Sequence, residues 1–424
     1  MNKTDSEGLK VGTLVVGAGI VGTTIAEQLQ CRGHDVMLLD RDEPGRGCSF
    51  GNAGHFATDV VLPLANMQTI LSLPKIIRDP LGPLSIRWSY LPKILPWLAR
   101  FAVAALPHNA RASCDSLRAL NGRSIESYDR LLKRTGLTDL MTKNGALTVY
   151  EAAASIDANA GSVALLKRFG VDVELKTGDE IRELEPALSQ KVAGGLYFPK
   201  TAHSVNPFRL VSALAEVFRA QGGAVVQGEV VKISPREGGG CDVILNDARR
   251  LCADRVIVAT GAWSKPLAAQ LGYRVPLDTE RGYHLMLPES DCAVSRPLVS
   301  YERAFVMTPM EEGLRLAGTV ELAGLDAEPN YQRADILFQH AQALLPQASR
   351  EGATQWMGFR PSLPDSLPVI GAAPKHRDIY FAFGHQHLGL TQAAVTAELV
   401  ADLVEGKVPE IDLNPYAISR FGLL

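Results

Sequence analysis

The stretch VGTLVVGAGIVG, residues 11–22, decides the architecture of the N-terminal part of the chain. Its apolar half, Val11–Val16, has the pattern of a short buried strand, and the glycine-rich half follows at once. We predict a helix from Ile20 to Arg32, ended by Gly33, and a second strand from Val36 to Leu39 that leads into Asp40. Together these segments predict a βαβ unit with the G-x-G-x-x-G pattern of a dinucleotide site.

Each part of this unit is suited to holding a pyrophosphate. Gly17 makes the tight turn, Gly19 lets the pyrophosphate approach the main chain, and Gly22 lets the helix pack on the strand. Free N–H groups at the helix start favour phosphate oxygens. Asp40 is placed to bind the adenosine ribose, which argues against the 2′-phosphate that Arg41 would otherwise suggest. A purely structural turn is the alternative, and the motif alone does not separate NAD from FAD.

Composition limits the remaining classes. A chain of 424 residues is too long for one compact core, so we expect two interleaved domains. The 43 basic and 46 acidic residues give a net charge of -3, which provides no electrostatic footprint for nucleic acid. Six cysteines lack C-x-x-C spacing, so we expect no metal site, no disulfide framework and a reducing, cytoplasmic compartment. Met1–Lys10 lacks the apolar core of a signal peptide, and charges or prolines interrupt the hydrophobic runs.

Two segments after Asp40 have unusual composition. Glu43–His55 is rich in Gly, Ser and Asn, which favours a ligand-cradling loop over a flexible surface connection. Pro63–Pro107 is a helical insert whose Trp88 and Trp97 lie among prolines and arginines. Amphipathic aromatics of this kind suit a membrane interface, and the alternative is an arm packed on the protein's own core.

The rest of the chain predicts a discontinuous dinucleotide domain. Ala112–Thr135 has the apolar spacing of one long core helix, and Asn206 is the expected cap of a helix over Phe208–Gln221. Ala253–Gly261 is typical of a buried strand that runs into a small-residue turn. Strands and a last helix, Gly389–Glu405, return at the far end of the chain.

These elements together resemble the D-amino-acid oxidase/glycine oxidase superfamily of FAD-dependent oxidoreductases over nearly the whole chain. The resemblance rests on the glycine motif with Asp40, Cys48-Ser49 with Asn52-Ala53-Gly54, Val256–Ser264, Gly358-Phe359-Arg360-Pro361 and Pro368–Gly371. The insert and the Arg315–Gly324 run are most similar to the small subunit of bacterial D-amino-acid dehydrogenases, of the D-hydroxyproline or D-proline type.

The resemblance implies an α/β fold with two domains. The Rossmann-like FAD-binding domain would be discontinuous, over residues 8–60, 200–270 and 355–424. An α+β substrate-binding domain with a mixed sheet would take residues 61–199 and 271–354, with the helical insert at about 63–107.

The resemblance also implies the residues that hold FAD. Thr260-Gly261 would close on the pyrophosphate, Val231 would contact adenine through its main chain, and the turn at Leu388 would face the flavin pyrimidine. No cysteine follows Cys292, so we expect FAD to be non-covalent. The full predicted set is Gly17, Ala18, Gly19, Ile20, Val21, Gly22, Asp40, Arg41, Cys48, Ser49, Asn52, Ala53, Gly54, Val231, Ala259, Thr260, Gly261, Gly384, Leu388, Gly389, Leu390 and Thr391.

The implied reaction removes a hydride from the substrate Cα and leaves an imino acid. The substrate carboxylate needs a guanidinium, whose fork pairs both oxygens, and Arg360 is the main candidate. The alternative for Arg360 is a surface salt bridge with Asp365. The lesser candidates are Arg303, the hydroxyls of Tyr283 and Tyr301, and His55, His284 and His387 for the amine or a substrate hydroxyl. Two departures from the family pattern are Cys48, where relatives often have threonine, and His387, where glycine-oxidase-like proteins have an arginine.

We therefore expect an FAD-dependent dehydrogenase of a D-amino acid, of the D-proline or hydroxy-D-proline type. Its electrons would pass to a quinone or another respiratory acceptor, and the protein would be peripheral at the inner face of the bacterial inner membrane. One alternative is an oxygen-using amine oxidase of the glycine or sarcosine kind. Another is a flavin-binding subunit of a hetero-oligomeric dehydrogenase, with the insert contacting a partner chain.

Overall fold

The computed structural model describes residues 8–79, 82–288 and 292–422, so the first seven residues of the polar N-terminal stretch lie outside the described part. The described strands, in chain order, are β1 Leu9–Val16, β2 Val36–Asp40, β3 His55–Phe56, β4 Leu84–Ile86, β5 Met141–Thr142, β6 Ala146–Tyr150, β7 Glu174–Thr177, β8 Gly194–Phe198, β9 Ala202–Ser204, β10 Ala224–Gln227, β11 Val230–Pro235, β12 Cys241–Leu245, β13 Arg250–Val258, β14 Asp278–Leu287, β15 Leu298–Ser300, β16 Phe305–Met310, β17 Gly313–Leu322, β18 Thr354–Ser362, β19 Val369–Ala373 and β20 His376–Phe383. The α-helices are α1 Ile20–Cys31, α2 Met67–Arg78, α3 Leu91–Ala104, α4 Pro107–Asn121, α5 Ser124–Thr135, α6 Ala153–Ala158, α7 Ala160–Arg168, α8 Gly178–Leu184, α9 Pro207–Ala220, α10 Ser264–Gln270, α11 Gln332–Leu344 and α12 Gly389–Val404.

The first sheet contains the βαβ unit predicted from residues 11–40. Its strand order is β10-β2-β1-β13-β12-β11, and β20 pairs with β13 and with β19. β10, β2, β1, β13 and β20 pair in parallel, as in a doubly wound sheet. Leu14 and Val16 enter the core on one face and Val15 the core on the other, which explains the unbroken apolar run. The sheet therefore draws its strands from separate stretches in both halves of the chain.

The second sheet is mixed, as the resemblance implied. Its order is β18-β14-β17-β16-β15-β6-β8-β7, and β4 pairs in parallel with β17. Leucines of β14 and β17 pack with α11 in one apolar cluster. A small third sheet has the order β3-β9-β5 and brings His55 opposite His203.

Two predicted domain boundaries and one predicted helix differ from the structure. The sequence predicts residues 355–362 in the FAD-binding domain, but β18 pairs along its length with β14 and so belongs to the second sheet. The single helix predicted over Ala112–Thr135 is two helices, α4 and α5, that separate at Gly122-Arg123. These helices lie within residues 61–199, which are predicted for the substrate-binding domain. Both pack on the first domain instead, since Leu117 and Leu120 join its core and the Tyr128 hydroxyl donates to the Leu390 carbonyl at 2.7 Å.

The helical insert comprises α2, β4 and α3, and its two tryptophans have different environments. Trp97 is buried, stacks on Phe101 and donates its indole N–H to the Ser362 carbonyl at 3.3 Å. Trp97 is therefore a core residue, which agrees with the alternative of an arm packed on the protein's own core and not with a membrane contact at this position. Trp88 is 75% exposed. In the described ranges no helix has the length and apolarity needed to span a bilayer.

Candidate functional site

A cavity of about 410 Å³ lies where the first sheet meets the edge strand β18 of the second. Sixteen of the predicted cofactor residues line it, which brings together segments from both ends of the chain. They are Gly17, Gly19, Ile20, Val21, Asp40, Arg41, Cys48, Ser49, Asn52, Val231, Ala259, Thr260, Gly261, Gly384, Gly389 and Leu390.

The glycine motif has the geometry that its spacing predicts. Gly17 has φ +108°, a conformation that side-chain-bearing residues rarely adopt, and donates its N–H to the Leu39 carbonyl at 2.7 Å. A Cβ on Gly22 would overlap the carbonyl oxygen of Gly17, so Gly22 permits close packing without lining the cavity. The N–H groups of Val21 and Gly22 have no acceptor among the described residues. They are available to an anion at the positive end of α1.

Asp40 and Arg41 are held by neighbouring groups at the cavity wall. The Asp40 carboxylate accepts the N–H of Ala18 at 2.6 Å and the N–H of Asp42 at 3.0 Å. Burial raises the pKa of Asp40, and these two bonds oppose that effect. The Arg41 guanidinium lies 4.0 Å from the centroid of the Trp263 ring, an arrangement that favours a cation–π interaction. Trp263 also lines the cavity, although the sequence pattern did not single it out as a contact.

Two further predicted cofactor residues, Ser49 and Thr391, connect the segments that surround the cavity. Ser49 Oγ accepts the Ile20 N–H at 2.9 Å, so Ser49 caps the start of α1 in addition to lining the cavity. Thr391 Oγ1 accepts the Ala57 N–H at 3.0 Å and ties α12 to the segment after the glycine-rich loop. Neither Thr391 nor Ala18, Ala53, Gly54 or Leu388 lines the cavity.

Gln386 is a wall residue that sequence reasoning missed. It has φ +51° and donates from Nε2 to Ser362 Oγ at 3.1 Å and to the Leu363 carbonyl at 2.8 Å. Its Oε1 is buried without a partner, and Gln386 lines the cavity. An unpaired buried acceptor, together with the free N–H groups of α1, fits a ligand with both donors and acceptors, as FAD has. No sequence signal marks a glutamine for left-handed backbone, which explains the omission.

Val231 also has an irregular backbone. The pairing of β11 with β12 shifts register between Val230 and Lys232, and this bulge lies at the cavity. The Val231 carbonyl accepts the side-chain amide of Gln270 at 2.9 Å. Its main chain is therefore fixed at the position where the resemblance placed adenine.

Arg360 is a guanidinium without a carboxylate partner among the described residues. Its one hydrogen bond is a long one, 3.4 Å, to the Gly318 carbonyl. Asp365 pairs instead with Arg420 at 2.7 Å, so the surface salt bridge considered for Arg360 is wrong. Glu280 is nearby, but its carboxylate accepts a bond from Ser362 at 2.6 Å, and burial raises its pKa against the opposing effects of Ser362 and Arg360. Phe359 and Pro361 line the cavity, while Arg360 between them does not and lies against Gly282 of β14.

Two groups near Arg360, Cys48 and His387, are uncharged at neutral pH. Burial raises the pKa of the cavity-lining Cys48 to about 11 against the opposing charge of Arg360, so the thiol is protonated and is a poor nucleophile for a covalent flavin bond. Burial lowers the pKa of His387 to about 4, with Arg360 and His55 adding to the effect. His387 makes no hydrogen bond to any described residue. Its ring is free to meet a substrate.

His55 and His284 have different partners. His55 Nε2 lies 3.7 Å from Asp59 Oδ1, and His203 faces His55 across the small sheet. Burial lowers the pKa of His55, opposed by Asp59. His284 stacks on Trp356 and places Nδ1 3.1 Å from the Gly51 carbonyl. His55 and His387 therefore remain candidates for substrate contact, while His284 bonds to the glycine-rich loop.

Three further candidates, Tyr283, Arg303 and Tyr301, contact other side chains and not the group of residues around Arg360. The Tyr283 hydroxyl donates to Glu321 at 2.6 Å and accepts the Asn330 N–H at 3.0 Å, so its hydrogen-bonding capacity is used on its own side of β14. Arg303 forms a two-bond pair with Glu151 at 2.6 and 2.7 Å. Tyr301 is 39% exposed and packs on Tyr150. Residue type alone suggests Arg303 and Tyr301 from the sequence, because partners such as Glu151, 152 positions away, leave no local signal.

The buried histidines should make stability fall in mild acid. Burial lowers the pKa of His203 to about 4 and that of His385 to about 3, against about 6.5 in the unfolded chain. Below pH 6.5 the unfolded chain therefore takes up protons that the folded chain does not, and each such histidine costs up to about 1.4 kcal/mol per pH unit. We expect the urea midpoint to fall from pH 7.5 to 5.5, and His385→Gln to reduce the fall. An equal midpoint at both pH values would contradict this.

Comparison with known proteins agrees with the geometry. Residues 13–403 match the model of the family described as "DAO: FAD dependent oxidoreductase". A D-amino-acid oxidase of Bradyrhizobium diazoefficiens is 36% identical over 96% of this chain and 98% of its own length. A D-amino acid dehydrogenase of Rhizobium johnstonii is 30% identical over 96% of this chain and 99% of its own length. The crystal structure of glycine oxidase from Geobacillus kaustophilus superposes with a TM-score of 0.73 at 22% identity, over 97% of this chain and 99% of that one.

Proposed function

The chain belongs to the FAD-dependent oxidoreductases of the D-amino-acid oxidase family, and we propose that it oxidises a D-amino acid at Cα as a dehydrogenase. The observation that carries the proposal is Arg360, a guanidinium with no carboxylate partner among the described residues, on the edge strand that borders the cavity. An unpaired guanidinium in such a place is suited to a substrate carboxylate, which it can bind through two parallel bonds. The names of the two relatives support the D-configuration.

The chain's own groups prepare the substrate for oxidation. When bound, FAD accepts the hydride that leaves Cα, and an imino acid remains. Arg360 holds the carboxylate, which fixes the direction of the Cα–H bond and supplies most of the orientation that the step needs. His387 stays neutral near Arg360, so it adds no positive charge that would oppose the cation. The N-terminus of α12 at Gly389 directs its positive dipole end to the cavity.

Within this class we propose a cyclic imino acid such as D-proline or a hydroxy-D-proline. Support comes from the enclosed histidines near Arg360. His387 has no hydrogen-bond partner among the described residues, and His55 Nε2 is buried without one. Neutral imidazoles can donate to or accept from a substrate hydroxyl.

The experiment that tests the dehydrogenase activity is aerobic turnover with a quinone analogue, with peroxide measured in parallel. The panel comprises D-proline, cis-4-hydroxy-D-proline, D-alanine, their L-enantiomers, glycine and sarcosine. We expect quinone reduction by the D-compounds with little peroxide. Peroxide formed in step with substrate loss would favour the oxygen-using glycine or sarcosine type of oxidase. Absence of turnover with every compound would favour a flavin-binding subunit of a larger dehydrogenase.

We also propose that the helical insert attaches the protein peripherally to an anionic bilayer, where a quinone acceptor would be available. α3 is apolar on both faces: Ile94 and Trp97 are buried, while Leu95 and Val103 are 53% and 59% exposed. Helices with this pattern need a second apolar surface. Leu62, Leu64, Met67, Leu71, Trp88 and Leu106 of the same region are also exposed.

The net positive charge of the insert favours an anionic bilayer over a neutral one. Residues 62–111 contain six basic residues and only one acidic residue, although the whole chain has a net charge of -3. Exposed Lys93 and Arg100 lie beside the outer apolar face of α3. A basic, apolar surface of this kind favours anionic phospholipid.

Replacing Leu95 and Val103 together by serine should weaken binding to anionic vesicles by about tenfold, because two apolar side chains lose their burial in the interface. Co-sedimentation with phosphatidylglycerol vesicles measures this. Val408→Ser is the matched control, since Val408 is 92% exposed outside the insert. Equal binding of all three proteins, or equal binding to neutral phosphatidylcholine vesicles, would contradict the proposal.

A further inference from the structure

Side chains of the second sheet hold three consecutive carbonyls of the glycine-rich loop. Arg315 Nη1 donates to the Phe50 carbonyl at 3.2 Å and to the Asn52 carbonyl at 2.7 Å. His284 Nδ1 lies 3.1 Å from the Gly51 carbonyl between them. A carbonyl can only accept, so Nδ1 carries the proton of the neutral ring. We call this set of three bonds the carbonyl clamp.

The clamp residues and Arg360 share one face of the sheet. In the pairing of β14 with its neighbours, Met286 is opposite Arg315 and Glu280 is opposite Arg360. Alternate residues of a strand face the same side of a sheet, so residues 280, 282, 284 and 286 share one face. The residues paired with them on the neighbouring strands face that side as well. Gly282 provides the space for Arg360, because a Cβ there would overlap its guanidinium. One rigid surface therefore carries both the clamp and the candidate substrate arginine.

Fold stability alone does not explain the arginine at position 315. Arg315 is 3% exposed, pairs with no carboxylate among the described residues and leaves Nε without a partner. Desolvation lowers its pKa to about 10. A buried guanidinium without a counter-ion is costly, and an apolar side chain of similar length would pack at lower cost. The two carbonyls that it binds are therefore the reason for its presence.

The loop itself is closely fitted to the sheet. Gly51 lies against the ring of Trp356, where a Cβ would overlap, and Trp356 stacks on His284 with ring centroids 5.1 Å apart. Cys48, Ser49 and Asn52 of the same loop line the cavity. A shift of the clamp would therefore move the cavity wall relative to Arg360.

We propose that Arg315 and His284 are positioning residues that hold residues 50–52 of the flavin-cradling loop at a fixed distance from Arg360. This rests on the proposed function, since its consequence is the alignment of a carboxylate-anchored Cα with the cofactor held by the loop. The clamp acts through main-chain carbonyls, and neither Arg315 nor His284 lines the cavity. His284 thereby has a role other than the substrate contact considered from the sequence.

The test compares Arg315→Met and Arg315→Lys with Arg118→Met in the FAD-loaded protein. Arg118 is the matched control, because it also donates to a main-chain carbonyl, that of Gly170 at 2.9 Å, outside the site. Two readouts are used: hydrogen exchange of peptides over residues 46–56, and anaerobic flavin reduction over a range of D-proline concentrations. Hydrogen exchange is also measured on the cofactor-free protein.

We expect Arg315→Met to accelerate exchange in the loop at least tenfold and to lower the saturating reduction rate about 10- to 100-fold, because a small misplacement of reacting atoms is costly. The substrate dissociation constant should change less than threefold, and lysine should restore most of both losses. Unchanged loop exchange in Arg315→Met, or faster exchange spread evenly over the second sheet, would overturn the clamp. Failure of the wild type to reduce flavin with any D-amino acid would refute the proposed function, while loop exchange would still test the clamp.

Discussion

Replacing Arg360 by methionine is expected to lower the second-order rate of flavin reduction by a D-amino acid about a thousandfold. The substrate carboxylate would lose a charge-assisted, two-bond partner in an enclosed site, a loss of about 2–5 kcal/mol. The pair would be the main anchor of the substrate, since Arg360 has no carboxylate partner among the described residues, whereas Arg303 is already paired with Glu151. Anaerobic stopped-flow reduction over a range of substrate concentrations gives this rate directly.

Two controls make the result specific to Arg360. Arg360→Lys keeps the charge without the two-pronged geometry and should lie between the wild type and the methionine variant. Arg303→Met removes the other arginine that the sequence suggested, whose partner is Glu151, and should leave the reduction rate within about threefold of the wild type. A large loss in Arg303→Met together with a small one in Arg360→Met would contradict the assignment.

Replacing Gly22 by alanine is expected to abolish retention of FAD during purification. The new Cβ would overlap the Gly17 carbonyl oxygen, and Gly17 is itself fixed because a Cβ there would overlap the Ala259 carbonyl. Both contacts involve main chain rather than flexible side chains, so the turn at the start of α1 must deform. We expect this rigid overlap to raise the free energy of the FAD-binding turn by more than about 3 kcal/mol. That strain corresponds to at least about a hundredfold weaker binding of FAD.

The measurement for Gly22→Ala is flavin content per chain and the FAD dissociation constant by fluorescence quenching. Gly161→Ala is the matched control, because a Cβ at Gly161 meets nothing within 4 Å and the residue lies in helix α7, away from the cavity. It should retain full flavin. Full flavin content in Gly22→Ala would show that the turn does not hold the pyrophosphate.

The sequence predicts the parts of this protein that depend on local patterns. Residues 11–40 contain the strand, the turn glycines, the helix and the acidic residue of a dinucleotide unit within thirty residues, and the structure confirms each element. Asn206 caps α9 by accepting the Arg209 N–H at 3.0 Å, as its residue type and position indicate. In such cases the physical cause lies within a few residues.

Features that depend on distant pairing could not be predicted in the same way. The motif that contains Arg360 was recognised, but its strand was placed in the wrong domain because pairing with β14 leaves no local signal. Phe50 and Arg315 are 265 positions apart, and Gln386 adopts a backbone conformation unusual for its residue type. Arg303 was chosen for its guanidinium alone, and its partner Glu151 is 152 positions away.

Anaerobic bleaching of the bound flavin would show whether the protein oxidises D-amino acids at a flavin near Arg360. The purified protein is mixed without oxygen with D-proline or L-proline, and the absorbance of the oxidised flavin is followed. We expect rapid, complete bleaching by the D-enantiomer and at least a hundredfold slower bleaching by the L-enantiomer. Equal bleaching by both enantiomers, or no bleaching by any member of the D-amino-acid panel, would show that the protein is not a D-amino-acid dehydrogenase.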